Sequence, residues 1–294
     1  LSRQAENLDE IFYIYVVDDD NILKGRLSLK KMILSPTSTK IQSIYNPDVT
    51  YVTTDEPAES VGRIMQKYDL VAIPVVDSIG RLVGRITIDD VVDVIREEAE
   101  KDYQMMSGIS QDVESSDTIW DQTKARLPWL IIGLLGGMLA AYMISFYEAD
   151  IALFPATAMF IPVITAMGGN VGIQSSAIVV KGLASNTLTS KNILQSISKE
   201  ISCAVINACI CSSIIFILSL CFNLTSLAMP ITVTISLFIV IMFASMFGTA
   251  FPLLLNKLKI DPALATGPFI TLTNDIIGLN IYLFTGKAIL GWLL

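Results

Sequence analysis

Residues 70–92 read LVAIPVVDSIGRLVGRITIDDVV. They align without a gap, at a constant offset of 59 positions, with residues 11–33, which read IFYIYVVDDDNILKGRLSLKKMI. In each copy an apolar run is followed by polar turn residues, a second apolar run and a segment with helical spacing. The pattern predicts two strand–turn–strand–helix repeats. One such repeat cannot bury its apolar face alone, so we expect the two copies to pack together as one α/β unit.

The rest of the chain differs from this repeat in composition. Of 294 residues, 52% are hydrophobic and only 16% are charged, against roughly 25% charged residues in a typical soluble domain. Residues 1–126 contain 14 basic and 23 acidic side chains, whereas residues 127–294 contain 6 and 5. The chain therefore joins an acidic, water-facing part to an apolar part.

Two features of the composition exclude classes of function. The net charge of −8 argues against nucleic acid as a partner. The chain has no histidine, which excludes His-based catalysis and His-ligated zinc or iron. Because no paired catalytic carboxylates are predicted within the apolar part, we expect the protein not to be an enzyme.

Five apolar stretches follow Arg126, and each is long enough for the roughly 20 residues that cross a bilayer. They lie at about residues 127–147, 154–180, 201–222, 229–255 and 263–293. The sequence thus predicts an α-helical polytopic membrane domain of five transmembrane helices, preceded by the α/β pair. The four cysteines all lie in the third stretch, in a spacing that matches no metal or redox motif. We expect them to fill space on a buried helix.

These features divide the chain into four predicted segments. The first repeat takes residues 1–46 and lacks an opening strand, as expected of a chain trimmed at its N-terminus, and the second repeat takes residues 47–95. An acidic connecting helix region covers residues 89–124, and the five-span domain covers residues 125–294.

The distribution of basic residues predicts an orientation. If the acidic part is cytoplasmic, seven basic residues flank the inner ends of the spans, whereas Lys287 alone lies near an outer end. This asymmetry fits the positive-inside rule. The prediction is a multi-pass protein of the inner (plasma) membrane, with a cytoplasmic N-terminal part and an external C-terminus.

A carboxylate is predicted deep within the last span. Asp275 lies in the polar patch TLTNDIIG, together with Thr271 and Asn274, and an ionised side chain in lipid is costly and usually functional. Because no Lys or Arg is predicted within another span, a permeating cation is the simplest partner. Two copies around a two-fold axis would match a divalent ion. The alternative is a protonated Asp275 that is hydrogen-bonded between helices.

A second polar segment interrupts the second span. It reads IPVITAMGGNVGIQSS over residues 161–176, with Gly168 and Gly169 placed for close helix approach and Asn170 and Gln174 four residues apart on one face. The segment either packs helices together or lines a pore. Mg²⁺ holds its water shell tightly, so amides, carbonyls and a carboxylate suit the hydrated ion better than a dry cage.

The segment after the second repeat is predicted to be a long acidic helix, IDDVVDVIREEAEKDYQMM at residues 88–106. Asp90, Asp93 and Glu97 recur at three- and four-residue steps, so they share a face on which like charges repel. This face is either solvated or neutralised by cations. At the helix start, Thr87 and Asp90 are typical of helix capping.

The repeat resembles a cystathionine-beta-synthase-type (CBS) domain. The resemblance is carried by PVVD at residues 74–77 and GRLVGRIT at residues 80–87, followed by two acids. Members of this family often contact a nucleotide ribose through a Ser/Thr-x-x-Asp motif, which Thr87 and Asp90 match. The resemblance implies that the pair binds ATP or another adenine nucleotide there.

From about residue 10 onward the chain resembles the MgtE family of magnesium transporters and channels. The matching stretches are IPVITAMGGNVGIQSSAIVVKGLA, DPALATGP and TLTNDIIGLNIYL, which follow the CBS pair and the acidic helix in the family's order. The resemblance implies a Mg²⁺-selective homodimer with one pore on the two-fold axis, which mediates passive Mg²⁺ uptake. It also implies that cytosolic Mg²⁺ closes the pore by binding carboxylates of the CBS pair and of the acidic helix, which acts as a plug.

The same resemblance suggests residue roles. Asp275 is similar to the pore carboxylate that recognises hydrated Mg²⁺, and the other candidate pore residues are Gly168, Gly169, Asn170, Gln174, Thr271 and Asn274. The candidate ligands of regulatory Mg²⁺ are Glu59, Asp69, Asp90, Asp93, Glu98, Asp102 and Asp261. The alternative function is a membrane-anchored adenine-nucleotide sensor without transport. The sequence leaves open the selectivity against other divalent cations, such as Mn²⁺, Co²⁺ and Ca²⁺.

Overall fold

The computed structural model describes residues 13–111, 113–185, 187–188, 192–221, 227–265 and 267–293. The chain divides between Glu100 and Lys101 into two compact units. The N-terminal unit contains both repeats, and the C-terminal unit contains the long apolar helices.

The N-terminal unit has the element order expected of a duplication. Its elements are β1 (Tyr13–Val17), β2 (Leu23–Ser28), α1 (Leu29–Leu34), β3 (Val52–Thr53), α2 (Ala58–Lys67), β4 (Ala72–Val76), β5 (Leu82–Thr87) and the start of α3 (Ile88–Met106). Strand β1 pairs antiparallel with β2 in one sheet, and β4 pairs antiparallel with β5 and parallel with β3 in the other. The predicted strand–turn–strand–helix order is confirmed in both copies.

Hydrogen bonds between the two copies also follow the offset of 59 positions. The amide of Leu23 donates to the carbonyl of Gly80 at 3.0 Å, and the equivalent amide of Leu82 donates to the carbonyl of Asn21 at 2.9 Å. Asn21 and Gly80 are themselves equivalent and have φ values of 65° and 85°. A left-handed backbone favours Gly and Asn, which explains these residue types at the turn.

The turn carboxylates are also duplicated. Oδ1 of Asp18 accepts the amide of Ile22 at 2.8 Å, and Oδ1 of Asp77 accepts the amide of Arg81 at 2.9 Å. Each carboxylate also has a cationic partner at 2.9 Å, which is Lys24 for Asp18 and the Arg81 guanidinium for Asp77. The hydrogen bond from Lys24 lowers the pKa of Asp18, and the backbone N–H of Arg81 lowers the pKa of Asp77.

These two pKa values predict how acid acts on the N-terminal unit. Because both are lower in the folded chain, the carboxylates stabilise it above their ordinary pKa of about 3.9, and this contribution is lost as the pH falls through the folded-state pKa. We expect Asp77→Asn to make the hydrogen exchange of residues 77–81 less sensitive to acid than in the wild type, after correction for intrinsic rates. Asp19→Asn, at an exposed neighbouring acid, is the matched control and is expected to behave like the wild type.

The core of the second repeat explains why α2 and α3 form helices. Val61 and Met65 of α2 are four residues apart, and they pack with Ile73 and Val91 in one buried cluster. This spacing places both α2 side chains on one face. In the first repeat, α1 is only six residues long and none of its side chains is buried.

The C-terminal unit is built from long helices. They are α4 (Ile119–Ser145), the short α5 (Glu148–Leu153), α6 (Ala156–Ala184), α7 (Ile193–Leu220), α8 (Ala228–Lys257) and α9 (Pro268–Leu293). Helices α6, α8 and α9 pack on one another, α7 packs on α8, and α4 packs on α9. Ile164, Val233, Ile241 and Leu279 are buried in the common core.

Four of the five predicted spans meet the length and apolarity needed to cross a membrane. Among the described residues these are α4, α6, α7 and α8. Helix α9 is 26 residues long, as expected of the fifth span, but it carries the polar stretch TLTND. The prediction that α9 also crosses the membrane is therefore not confirmed by its apolarity and stays a prediction.

Two details of the sequence prediction are wrong. Cys203 and Cys209 of α7 and Cys221 at its C-cap are exposed, because apolar residues of a membrane helix face outward as well as inward. Only Cys211, which is half-buried and packs against the core, fills space as predicted. The helix at the third span begins at Ile193 and not near residue 201, which places Lys199 and Glu200 within it.

Candidate functional site

Asp275 lies on the wall of a cavity of about 990 Å³ in the C-terminal unit. The polar and charged residues of the wall also include Thr271 of α9, Thr165 of α6 and Arg126 of α4. The main apolar side chains of the wall are Trp129, Leu130, Leu134, Leu272 and Ile276. The cavity is large enough for a hydrated ion, since six waters of about 30 Å³ each take roughly 180 Å³.

The Asp275 carboxylate is half-buried and has no protein partner among the described residues. The ion pairs found there do not include it, and neither do the side-chain hydrogen bonds of α9, which involve Thr271, Asn280, Tyr282 and Lys287. A carboxylate left in this way on a largely apolar wall favours a cation as its partner.

Close packing of α6 on α9 positions this carboxylate. A Cβ on Gly169 would lie 3.3 Å from Oδ1 of Asp275 and 3.1 Å from Cγ2 of Thr271. A Cβ on Gly172 would overlap Nδ2 of Asn274. Only glycine lets the α6 backbone come this close, so the glycine pattern read from the sequence acts in helix packing.

Asn274 and Asp275 are adjacent but lie in different surroundings. Asn274 is 1% exposed, and neither atom of its amide has a hydrogen-bond partner among the described residues. Its backbone carbonyl oxygen lies 3.4 Å from the Cβ that Gly168 lacks. Asn274 therefore faces the helix interface, whereas Asp275 and Thr271 face the cavity.

The two amides predicted on one face of α6 do share a face, but they do not line this cavity. Asn170 and Gln174 are both exposed, and the lining residues do not include them. Sequence reasoning missed Thr165 and Arg126 as lining residues. The apolar run places Arg126 just outside the first span, but α4 begins seven residues earlier, at Ile119.

The candidate regulatory acids are spread over the chain. Asp93 and Glu98 are exposed on α3, Glu59 forms an exposed ion pair with Arg63 at 3.0 Å, and Asp261 accepts the amide of Ala263 at 2.8 Å. Asp69 follows α2 with a φ of 49°, and Asp102 is half-buried on α3. Within the described residues of one chain, no three His, Cys, Asp or Glu side chains lie together as a metal site.

Thr87 and Asp90 are brought together at the start of α3. Oδ2 of Asp90 accepts the hydroxyl of Thr87 at 2.7 Å and its amide at 3.2 Å. These hydrogen bonds, first that from the hydroxyl, lower the pKa of Asp90. The contact is the helix-capping arrangement considered from the sequence. At the equivalent place in the first copy, α1 begins after Ser28 with no side-chain cap.

Sequence reasoning missed a second carboxylate within a long apolar helix. Oε1 of Glu200 on α7 accepts the hydroxyl of Ser175 on α6 at 2.6 Å and that of Ser245 on α8 at 3.0 Å. The signal was present in the sequence, because Glu200 stands at the edge of an apolar run. The span boundary drawn at residue 201 left it outside.

Comparisons with known proteins agree with this architecture. Residues 161–285 match the family model MgtE, described as a divalent cation transporter, and residues 41–97 match the CBS domain. The magnesium transporter MgtE of Bacillus subtilis (strain 168) is 36% identical over 282 residues, which cover 96% of this chain and 62% of that protein. The magnesium transporter MgtE of Thermus thermophilus is 34% identical over 296 residues, 99% of this chain and 64% of that protein.

Among solved structures, the cytosolic domain of the Mg²⁺ channel MgtE in complex with ATP is similar to part of the chain. The identity is 50% and the TM-score is 0.31, over 32% of this chain and 38% of that one.

A CBS-type unit followed by several helices long and apolar enough to cross a membrane defines a multi-pass membrane protein with an N-terminal α/β unit. Its helical unit matches the MgtE family model, and the resemblance to the MgtE family drawn from the sequence is confirmed. The chain spans 62% and 64% of the length of these two curated relatives.

Proposed function

We propose that the chain mediates passive, Mg²⁺-selective uptake across the plasma membrane and is not an enzyme. The carrying observation is the Asp275 carboxylate, which lies without a protein partner among the described residues, on the wall of a cavity that can hold a hydrated ion. The match of residues 161–285 to a divalent cation transporter supports this proposal, as do the names of the two relatives. The membrane potential would supply the driving force, about 4.6 kcal/mol per 100 mV for a divalent ion.

A homodimer with one pore on its two-fold axis is part of the proposal. One Asp275 supplies a single negative charge, and two copies near the axis would match the charge of Mg²⁺. One face of α4 supports this arrangement, because Leu135, Met138 and Tyr142 are 61–65% exposed and do not line the cavity, so they are free to contact lipid or a second copy. Helix α9 would then be a fifth membrane span that places Asp275 within the pore.

The orientation is proposed from the basic residues. Lys181, Lys199, Lys257 and Lys259 are exposed at or near one end of α6, α7 and α8, and the positive-inside rule assigns that end to the cytoplasm. The N-terminal unit would then be cytoplasmic and the C-terminus external.

Gating is proposed to depend on the acids of the N-terminal unit and α3. Their like charges repel, so Mg²⁺ bound between them would favour a compact, closed arrangement, provided that the ions bind the two states with different affinity. No complete cluster forms among the described residues of one chain. The proposed sites therefore need acids that come together only when the units or two copies move relative to one another, with α3 as the plug.

The sensor role of these acids can be tested by neutralising three of them. We expect Asp90→Asn, Asp93→Asn and Glu98→Gln together to raise the cytosolic Mg²⁺ concentration that inhibits flux by about 5- to 150-fold, the range of typical allosteric coupling. Flux would be measured with increasing Mg²⁺ on the side of the N-terminal unit.

The matched control removes three charges from exposed loop positions of the N-terminal unit that are not among the candidate regulatory acids. Asp19→Asn, Asp48→Asn and Asp55→Asn together are expected to leave the inhibition close to that of the wild type. Equal behaviour of the two triple variants would refute the sensor assignment.

The experiment for the function as a whole is Mg²⁺ flux into proteoliposomes that contain the purified chain, followed with a Mg²⁺-sensitive dye. Inward flux that falls when Mg²⁺ is raised on the side of the N-terminal unit supports the proposal. No flux through folded, membrane-inserted protein contradicts it. That result would favour the alternative, an adenine-nucleotide sensor. Nucleotide binding at Thr87 and Asp90 stays a prediction, and the two residues already bond to each other.

A further inference from the structure

Three long helices meet at a small polar cluster formed by Glu200 of α7, Ser175 of α6 and Ser245 of α8. The three oxygen atoms form a triangle, with sides of 2.6 Å and 3.0 Å from Oε1 of Glu200 to the two hydroxyls and 3.1 Å between the hydroxyls. Both serines are buried, at 3% and 2% exposure. Oε1 of the half-buried Glu200 side chain therefore lies between the three helices.

Glu200 has no cationic partner in the described part of the chain. The ion pairs there do not include it, and its neighbour Lys199 is exposed on α7. Lys181 is the one charged residue of α6 and Lys257 the one of α8. They lie six residues from Ser175 and twelve from Ser245, or roughly 9 Å and 18 Å along the helix axes. A carboxylate in such a place needs a counter-charge.

A buried hydroxyl without a partner also follows Ser175 directly in the sequence. Ser176, the next residue of α6, is 0% exposed, and its hydroxyl has no hydrogen-bond partner among the described residues. Buried hydroxyls without a partner are uncommon and call for an explanation. A hydroxyl that donates to Glu200 still has lone pairs free to bind a cation.

We propose that Glu200, together with the Ser175 and Ser245 hydroxyls, forms a binding site for one small, singly charged metal cation, with Na⁺ as the probe. The site carries one negative charge and only neutral hydroxyls, so one monovalent ion balances it. Mg²⁺ gives up its octahedral water shell reluctantly, so a site of three protein oxygens suits it less well than a monovalent ion.

The site is separate from the cavity that contains Asp275. Ser175 follows Gly169 by six residues, which at about 100° per residue is a rotation of roughly 240° around α6. Gly169 faces Asp275 on α9, and Ser175 faces α7 and α8. Two faces of α6 therefore each lie against a carboxylate from another helix, Asp275 of α9 on one face and Glu200 of α7 on the other. The proposed Na⁺ site does not depend on whether the chain transports Mg²⁺.

The test is chemical modification of the full chain with dicyclohexylcarbodiimide, which reacts with carboxyl groups in apolar surroundings. Adduct formation at Glu200 is followed by mass spectrometry at fixed pH, with NaCl replacing choline chloride at constant ionic strength. We expect Na⁺ to slow modification of Glu200 at least several-fold, and Mg²⁺ at equal ionic strength to have no such effect. In Ser175→Ala and Ser245→Ala, half-protection should require about tenfold more Na⁺, as expected for the loss of one charge-assisted contact.

Ser212→Ala is the matched control. Ser212 is buried on α7, twelve residues after Glu200, and its hydroxyl has no partner in the described part of the chain. This variant is expected to keep the protection of the wild type. The serine variants retain Glu200, so they remain informative if Glu200→Gln does not fold. Modification that is unchanged by Na⁺, or slowed equally by Mg²⁺, would overturn the proposal. A lack of Mg²⁺ flux would contradict only the proposed transport function.

Discussion

Asp275→Asn is expected to abolish Mg²⁺ flux while leaving the fold intact. The change removes the negative charge of the cavity wall but keeps the shape and size of the side chain. The carboxylate has no protein partner among the described residues, so no internal ion pair is lost. A charged contact is worth about 1.5–3 kcal/mol, so its loss on each chain of a dimer, about 3–6 kcal/mol in all, lowers binding by roughly 100-fold to about 20,000-fold.

The measurement is initial Mg²⁺ flux into proteoliposomes, normalised to the amount of inserted protein. Glu148→Gln is the control, because it removes one negative charge from an exposed position at the start of α5. It should retain the flux of the wild type. Thermal unfolding in detergent should be similar for all three proteins. Wild-type flux in Asp275→Asn would show that the ion does not pass this carboxylate.

The structure of the N-terminal unit could be predicted closely because its sequence contains a repeat. A constant offset of 59 positions fixes the strands, the turn and the helix start together. The equivalent bulges at Val16/Val17 and Val75/Val76 keep the same offset. The same strand register occurs in both repeats, so two sets of side chains constrain it. A shift of one residue in this register would place both sets of side chains on the wrong face of their sheets.

The helical unit was less predictable, because apolar composition does not distinguish its inner face from its outer face. Exposed cysteines on α7 and buried glycines on α6 are equally apolar. Adjacent residues of a helix point about 100° apart. The polar patch TLTND therefore does not predict which of its side chains face the cavity, as Asp275 does, and which face α6, as Asn274 does. That distinction depends on which helix packs against α9.

The position of Glu200 is a second feature of the helical unit that composition alone does not predict. A hydropathy boundary near residue 201 left this carboxylate outside the third span, but its oxygen bonds two buried serines from different helices. Ser245 does not stand out in the sequence, since a single serine in an apolar run usually bonds the backbone one turn earlier, and the polar segment that contains Ser175 does not identify the partner of this residue. A polar cluster between helices becomes visible only when the packing is known.

Gly172→Ala is the second change for which we expect a large effect, on the stability of the helical unit and on flux together. The new Cβ would overlap Nδ2 of Asn274 and lie 2.7 Å from Cγ2 of Ile270. Because α6 and α9 must separate to admit it, we expect overpacking to cost about 1–3 kcal/mol. Separation would also move Gly169 away from Asp275 and Thr271, and so change the cavity wall.

The comparison needs a glycine at which an added methyl group meets nothing. A Cβ added to Gly291, near the end of α9 and outside the lining of the cavity, would have no described atom within 4 Å, so Gly291→Ala reports only the gain of up to about 1 kcal/mol from helix propensity. Unfolding by SDS would measure both variants, and proteoliposome flux would follow. If the overlap with Asn274 is the cause, adding Asn274→Ala to Gly172→Ala should recover stability relative to the sum of the two single changes. Additive losses would contradict this cause, because two side chains that overlap cannot affect stability independently. The strain from the new methyl group would then lie at another contact.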